Sequence, residues 1–151
     1  MVEFDVKMER FRDKETGLLV SGRMFKNMRH AAAAVRLTAQ SLFRESRFVM
    51  KRVRGKNGRM RNKKAYIPSQ PGRPPGRATG RLKRSIMYDA DEANLTFSVG
   101  PRASVAAKVG RAHEFGGRYK GGSYDARPFM QPALEKNLHR LPSQFAGRVG
   151  G

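Results

Sequence analysis

Near Ser21 the spacing of apolar residues changes from two to three or four, and this switch commits the chain to a fold that joins strands to a long helix. Before it, Val2, Phe4 and Val6 alternate with Glu3, Asp5 and Lys7, and Met8 continues the apolar face, which predicts a strand. The run from Gly17 to Val20 either pairs with that strand or leads into the helix. Beyond it, Phe25, Met28, Ala32, Val35, Ala39, Leu42, Val49 and Val53 form one apolar stripe, interrupted at Ser46. The stripe predicts a helix from about Ser21 to Val53, roughly 45 Å long at helical rise, with Ser21 as its N-cap. Ala31 to Ala34 add helix propensity and allow a neighbour to approach closely. A helix of this length is expected to pack on a sheet at one end and on another subunit at the other, the alternative being a helix packed only within its own domain.

After the helix the polarity changes. Thirteen basic residues and no acid lie between Lys51 and Tyr88, within a chain whose formal charge is +20. Pro68, Pro71, Pro74 and Pro75 with Gly72 and Gly76 exclude a helix or an interior strand there. An extended basic arm over about 54–78 is expected, mobile in the free protein. Thr79 should then cap a short helix over Gly80–Met87, with Leu82 and Ile86 inward. Leu95, Phe97 and Val99 alternate with polar residues as a half-buried strand. Ser104–Phe115 reads as a helix with Val105, Val109 and Ala112 inward, and the glycine pairs around Arg118–Lys120 as a hairpin or loop. Pro132 opens a last helix, with Leu134, Leu138 and Leu141 inward, Glu135 in its first turn and Pro142 ending or kinking it. This order predicts an α+β fold: one domain over 1–151 with a small, mostly antiparallel sheet, a long N-terminal helix, and shorter helices packed on one face.

Composition narrows function. The chain has no cysteine, which excludes disulfides, thiol catalysis and cysteine-ligated zinc. No apolar run approaches the ~20 residues of a membrane helix, and Met1–Arg12 lacks a signal peptide's apolar core, so soluble synthesis in a cytoplasm and no membrane partner are expected. There is neither a phosphate-binding loop nor a dinucleotide fingerprint, and His30, His113 and His139 lack metal-ligand spacing. Asp89, Asp91 and Glu92 cluster, and a turn explains them better than a cation site. No cofactor, metal or catalytic residue is expected. The excess positive charge demands polyanions or acidic surfaces. The candidate contact residues are Arg52, Arg54, Lys56, Arg59, Arg61, Lys63, Lys64, Arg73 and Arg77. Only Tyr66 is available to stack on a base, which argues against single-strand recognition.

Three segments carry a resemblance. The first is Pro71–Pro75 (PGRPP) followed by Thr79–Ile86 (TGRLKRSI), the second Ala112–Gly116 (AHEFG), and the third Ala126–Leu134 (ARPFMQPAL). In this order, after a strand and a long helix, they resemble the tail-completion, or head–tail joining, family of tailed bacteriophages. The resemblance implies a non-enzymatic virion protein of the neck or tail top, forming a six- or twelve-fold ring. Its partners would be further copies of itself, the connector or adaptor, the tail-tube or tail-terminator proteins, and packaged duplex DNA. It also implies that Thr79, Gly80, Leu82, Ser85, Ile86, Glu114, Phe115, Gly116, Arg127, Pro128, Phe129, Pro132 and Leu134 are folding determinants. The basic arm exceeds that family's linker. The charge alone points to a different reading, a small nucleic-acid-binding protein.

Overall fold

The computed structural model describes residues 2–5, 14–45, 47–94, 96–102 and 104–141, with the backbone alone for 2–5, 14–23 and 104. Along the chain run β1 (Val2–Asp5), α1 (Lys14–Ser41), β2 (Arg44–Glu45), β3 (Arg47–Arg54), β4 (Met60–Ile67) and β5 (Gly76–Arg77). Then follow α2 (Arg81–Ser85), β6 (Ile86–Asp91), β7 (Thr96–Pro101), α3 (Ser104–Phe115), β8 (Gly117–Tyr119), β9 (Gly122–Tyr124) and α4 (Met130–Leu138). The fold is α+β, as the order of apolar patterns predicts.

The principal sheet is antiparallel in the order β1-β7-β6, with Phe4 opposite Phe97 and Tyr88 opposite Val99. Asp91 shapes the β6–β7 turn: its carboxylate accepts from the backbone N–H groups of Ala93 and Asn94 and from the Asn94 amide. The Asn94 side-chain bond, with those backbone bonds, holds the Asp91 carboxyl below its ordinary pKa. Asp89 meets Arg102 of its own chain at 2.8 Å. The acidic cluster therefore serves a turn and an internal ion pair.

Helix α1 lies against β6, β7 and α4. Its buried face is Met28, Ala31, Ala32, Val35 and Ala39, which meets Ile86, Phe97, Val99, Phe129 and Ala133 in one cluster. Complete burial of a side chain the size of Val35 or Phe97 stabilises by about 1.5–3 kcal/mol. Polar stitches fix the contacts: Asn137 donates to Thr38 Oγ1 at 2.9 Å, and Gln40 donates to the carbonyls of Lys83 and Ile86. Phe43 and Phe129 add an edge-to-face contact at 5.0 Å.

The helix differs from expectation at both ends. It begins by Lys14, so Ser21 lies inside it and Gly17–Val20 belong to it; it ends at Ser41, where the Ser41 hydroxyl donates to the Thr38 carbonyl. Val49 and Val53 sit on β3 instead. A spacing of four puts two residues on one face of a helix and equally on one face of a strand, so period alone misassigns them. Ala32 and Val35 are fully buried in the chain's own core.

The irregular arm expected over 54–78 is also different. Its first part is the turn and the whole second strand of a β3–β4 ribbon pairing Arg47 with Ile67 through Arg54 with Met60. Its second part folds back as a segment whose Gly72 N–H donates to the Ala126 carbonyl and whose Pro75 is fully buried. Among the downstream helices, α2 is capped by Gly80 in a left-handed conformation, and Thr79 Oγ1 only accepts a long 3.4 Å bond from Arg81. Ile86 is buried as the first residue of β6, not as a helical residue. Val105 and Leu138, expected inside, are exposed, and Glu135 lies beyond the first turn of α4. The hairpin around Arg118–Lys120 is β8–β9. Val6, Met8, Leu95 and Pro142 lie outside the described residues.

Candidate interaction surface

The second and third sequence segments meet at one place, and the proline-rich part of the first lies against them through the Gly72 N–H to the Ala126 carbonyl. An α-helix begins with N–H groups that lack partners inside the helix. At α4 a single carboxylate answers them: Glu114 Oε2 accepts from Phe129 N at 2.9 Å and Met130 N at 3.0 Å, and Oε1 from Gln131 N at 2.9 Å. Pro132 is the next residue and has no N–H to satisfy. The glutamate of one motif thus caps the helix of another, and its charge favours the positive end of that helix.

Gly116 makes the approach possible. It has φ +70, and a Cβ there would stand 3.0 Å from the Tyr124 carbonyl oxygen and 3.1 Å from Ala126 N. The Arg127 N–H donates to the His113 carbonyl, closing the seam between the two motifs. Arg127 itself is buried, its Nε donating to the Ser69 carbonyl at 2.8 Å and its guanidinium to the Asp125 carbonyl at 3.0 Å. It thereby fastens the proline-rich segment to the body. Of the other motif residues, Ser85 accepts from Arg102 N through its carbonyl, apart from this lock, and Leu82 packs on the core. Phe129 is buried, while Leu134 and Pro128 are half-buried. Phe115 does not belong to this lock: it is 72% exposed, so its expected role in folding is corrected. His113 lines the inner side, where burial first and the Arg127 charge second lower its pKa from 6.5. Its Nδ1 is buried without a hydrogen-bond partner among the described residues.

The basic residues divide into two groups. Arg52 and Arg54 stand on β3, Arg61, Lys63 and Lys64 on β4, and Lys56 and Arg59 at the turn between them; all are exposed. Arg73 and Arg77 are exposed too, but they belong to the segment that folds back on the body. The turn is closed by Gly55 N–H to the Arg59 carbonyl and Gly58 N–H to the Gly55 carbonyl, with Gly58 at φ +75. Eight residues per strand make a ribbon about 26 Å long.

The ribbon changes character along its length. At the root, Phe48, Val49, Met50 and Ile67 are 41%, 38%, 65% and 39% exposed. Phe48 packs edge-on against Tyr66 and lies under the Lys64 ammonium at 4.5 Å. Toward the turn the side chains become cationic, and Lys51 stands directly opposite Lys63. Sequence reasoning placed the charges but missed the apolar root and Lys51. The signal was available: Asn57-Gly58, between two runs with β-branched and aromatic residues, is a hairpin signature.

A groove of about 680 Å³ runs between the segment from Gly76 to Ser85 and the Val105–Val109 face of α3, with Phe43 and His113 also lining it. No group of three His, Cys, Asp or Glu able to hold a metal occurs among the described residues, and no helix among them is long and apolar enough to cross a membrane. No protein-family model, curated protein or solved structure matches the chain.

Proposed function

We propose that the chain is a structural subunit of a tailed-phage virion, forming a ring at the head–tail junction and needed to complete the tail and join it to the head. The observation that carries this reading is the ribbon root, where Phe48, Val49, Met50 and Ile67 are uncovered within a single subunit. Phe48 and Met50 lie on one face of the ribbon and Val49 and Ile67 on the other, and exposed apolar side chains gathered on both faces of one segment are what a protein contact covers. In a ring each subunit would lay this root on the body of the next, a head-to-tail contact that closes by rotation. Support also comes from the way the second and third resembling segments meet: Glu114, Gly116, Arg127 and Pro132 build one lock, as residues of a single folding signature would. The ring would sit between connector or adaptor and tail-tube or tail-terminator proteins. The other reading, a small nucleic-acid-binding protein, is favoured by the charge of +20 and needs no ring.

Two measurements test the assembly reading. Light scattering of the purified chain with and without a Phe48→Ser/Met50→Ser change should show discrete oligomers that the double variant loses, with its circular dichroism unchanged. Electron microscopy of lysates lacking the protein should show heads and tails that do not join. Normal particles in those lysates would overturn the reading.

A further inference from the structure

The root of the ribbon is apolar, yet its outer half carries Lys51, Arg52, Arg54, Arg59, Arg61 and Lys63 with no acid anywhere between residues 46 and 88. Lys51 and Lys63 face each other in register, and like charges placed directly across a ladder weaken it. Among the described residues no ion pair offsets this repulsion. A surface that holds like charges together without internal counter-charges fits a ligand that supplies regularly spaced negative charge.

We propose that the outer half of the β3–β4 ribbon is a binding site for the sugar-phosphate backbone of duplex DNA. Three observations select this ligand. Lysine is depleted at protein–protein contacts, whereas Lys and Arg together are the ordinary means of neutralising phosphates. The outer half has no aromatic side chain, so it cannot hold single strands by stacking bases. A two-stranded ribbon has the width to enter the major groove, where both of its faces see phosphates. The only uncharged amide side chains there are Asn57 and Asn62, too few to read a sequence. Binding is therefore independent of sequence and governed by release of counterions. For its place in the virion this site rests on the assembly reading; for its chemistry it rests on the ribbon alone.

The test uses the full chain, a fluorescent 30-base-pair duplex of mixed sequence, and anisotropy titrations between roughly 50 and 300 mM salt. If about five phosphates are engaged, the logarithm of affinity falls against the logarithm of salt with a slope of about −4.5. The Lys51→Gln/Lys63→Gln variant should flatten that slope by about 2 and weaken binding at least about tenfold at 100 mM salt. Its melting temperature should stay level or rise, because a repulsive pair is removed. The Lys26→Gln/Lys136→Gln variant loses the same charge at exposed positions off the ribbon and should bind like the parent. Equal losses in both variants would mean that net charge alone drives binding and would overturn the site. So would tighter binding to a single strand than to the duplex, or equal competition by polyglutamate of matched charge, which would assign the ribbon to acidic protein surfaces. Light scattering of the same samples separates the two readings. Oligomers without DNA binding would overturn only the site, and DNA binding by a lasting monomer would overturn only the ring.

Discussion

Glu114 shows how much one side chain can determine. Among the described residues it is the only acceptor for the Phe129, Met130 and Gln131 N–H groups, so its removal strands the start of α4. Glu114→Ala should cost about 2–3 kcal/mol in urea unfolding, and Glu114→Gln less, since an amide keeps one acceptor oxygen. A change under about 0.5 kcal/mol for the alanine variant would show that water replaces the cap. Its neighbour His113 gives a pH signature. Burial and Arg127 lower its folded pKa below 6.5, so the unfolded chain takes up the proton first. The stability contributed by neutral His113 is complete above pH 6.5 and is lost as the pH falls from 6.5 toward the lower folded value. His113→Gln should remove that part of the acid sensitivity in melting curves taken between pH 7.5 and 5. These roles were half-legible in the sequence. The motifs marked Glu114, Gly116 and Arg127 as important, but a carboxylate capping a helix fifteen residues downstream leaves no local pattern.

Elements were legible where burial is one-sided and local. The limits of α3 follow from its pattern although Val105 turns out exposed, and the Phe97/Val99 face of β7 follows from period because that strand meets the core on one face. The ribbon escaped because little of it meets the core: period reports burial, and β3 is exposed at seven of its eight positions. Charge and glycine content then read as an irregular arm. The same exposure predicts independence. The ribbon contributes no side chain to the buried cluster, which passes from Phe43 to Ile86. Replacing residues 48–66 with a short Gly/Ser turn should leave the melting temperature within a few degrees of the parent. Collapse of the near-ultraviolet signal would show that the ribbon supports the core. Helix α1 is the opposite case. Ala32→Glu puts a carboxylate where nothing is exposed and should cost several kcal/mol, enough to unfold the chain. A soluble, folded Ala32→Glu variant would contradict the packing of α1 on β6 and β7.

Over the whole molecule, a charge of +20 opposes compactness at low ionic strength. The melting temperature should therefore rise between roughly 10 and 150 mM salt, as the screening length shortens from about 30 to 8 Å. A flat response would mean that the cations lie too far apart to repel. The sequence announced this charge plainly, whereas its division between a cationic tip and an apolar root follows only once two strands are paired in register. The sheet also has a history built into its order. β6 and β7 are joined by a tight turn and find each other early, whereas β1 must bring residue 2 to residue 99. Closing so long a loop loses chain entropy before any contact offsets it. β1 is thus expected to dock late, as is α4 on α1, where Asn137 bonds Thr38 across 99 residues.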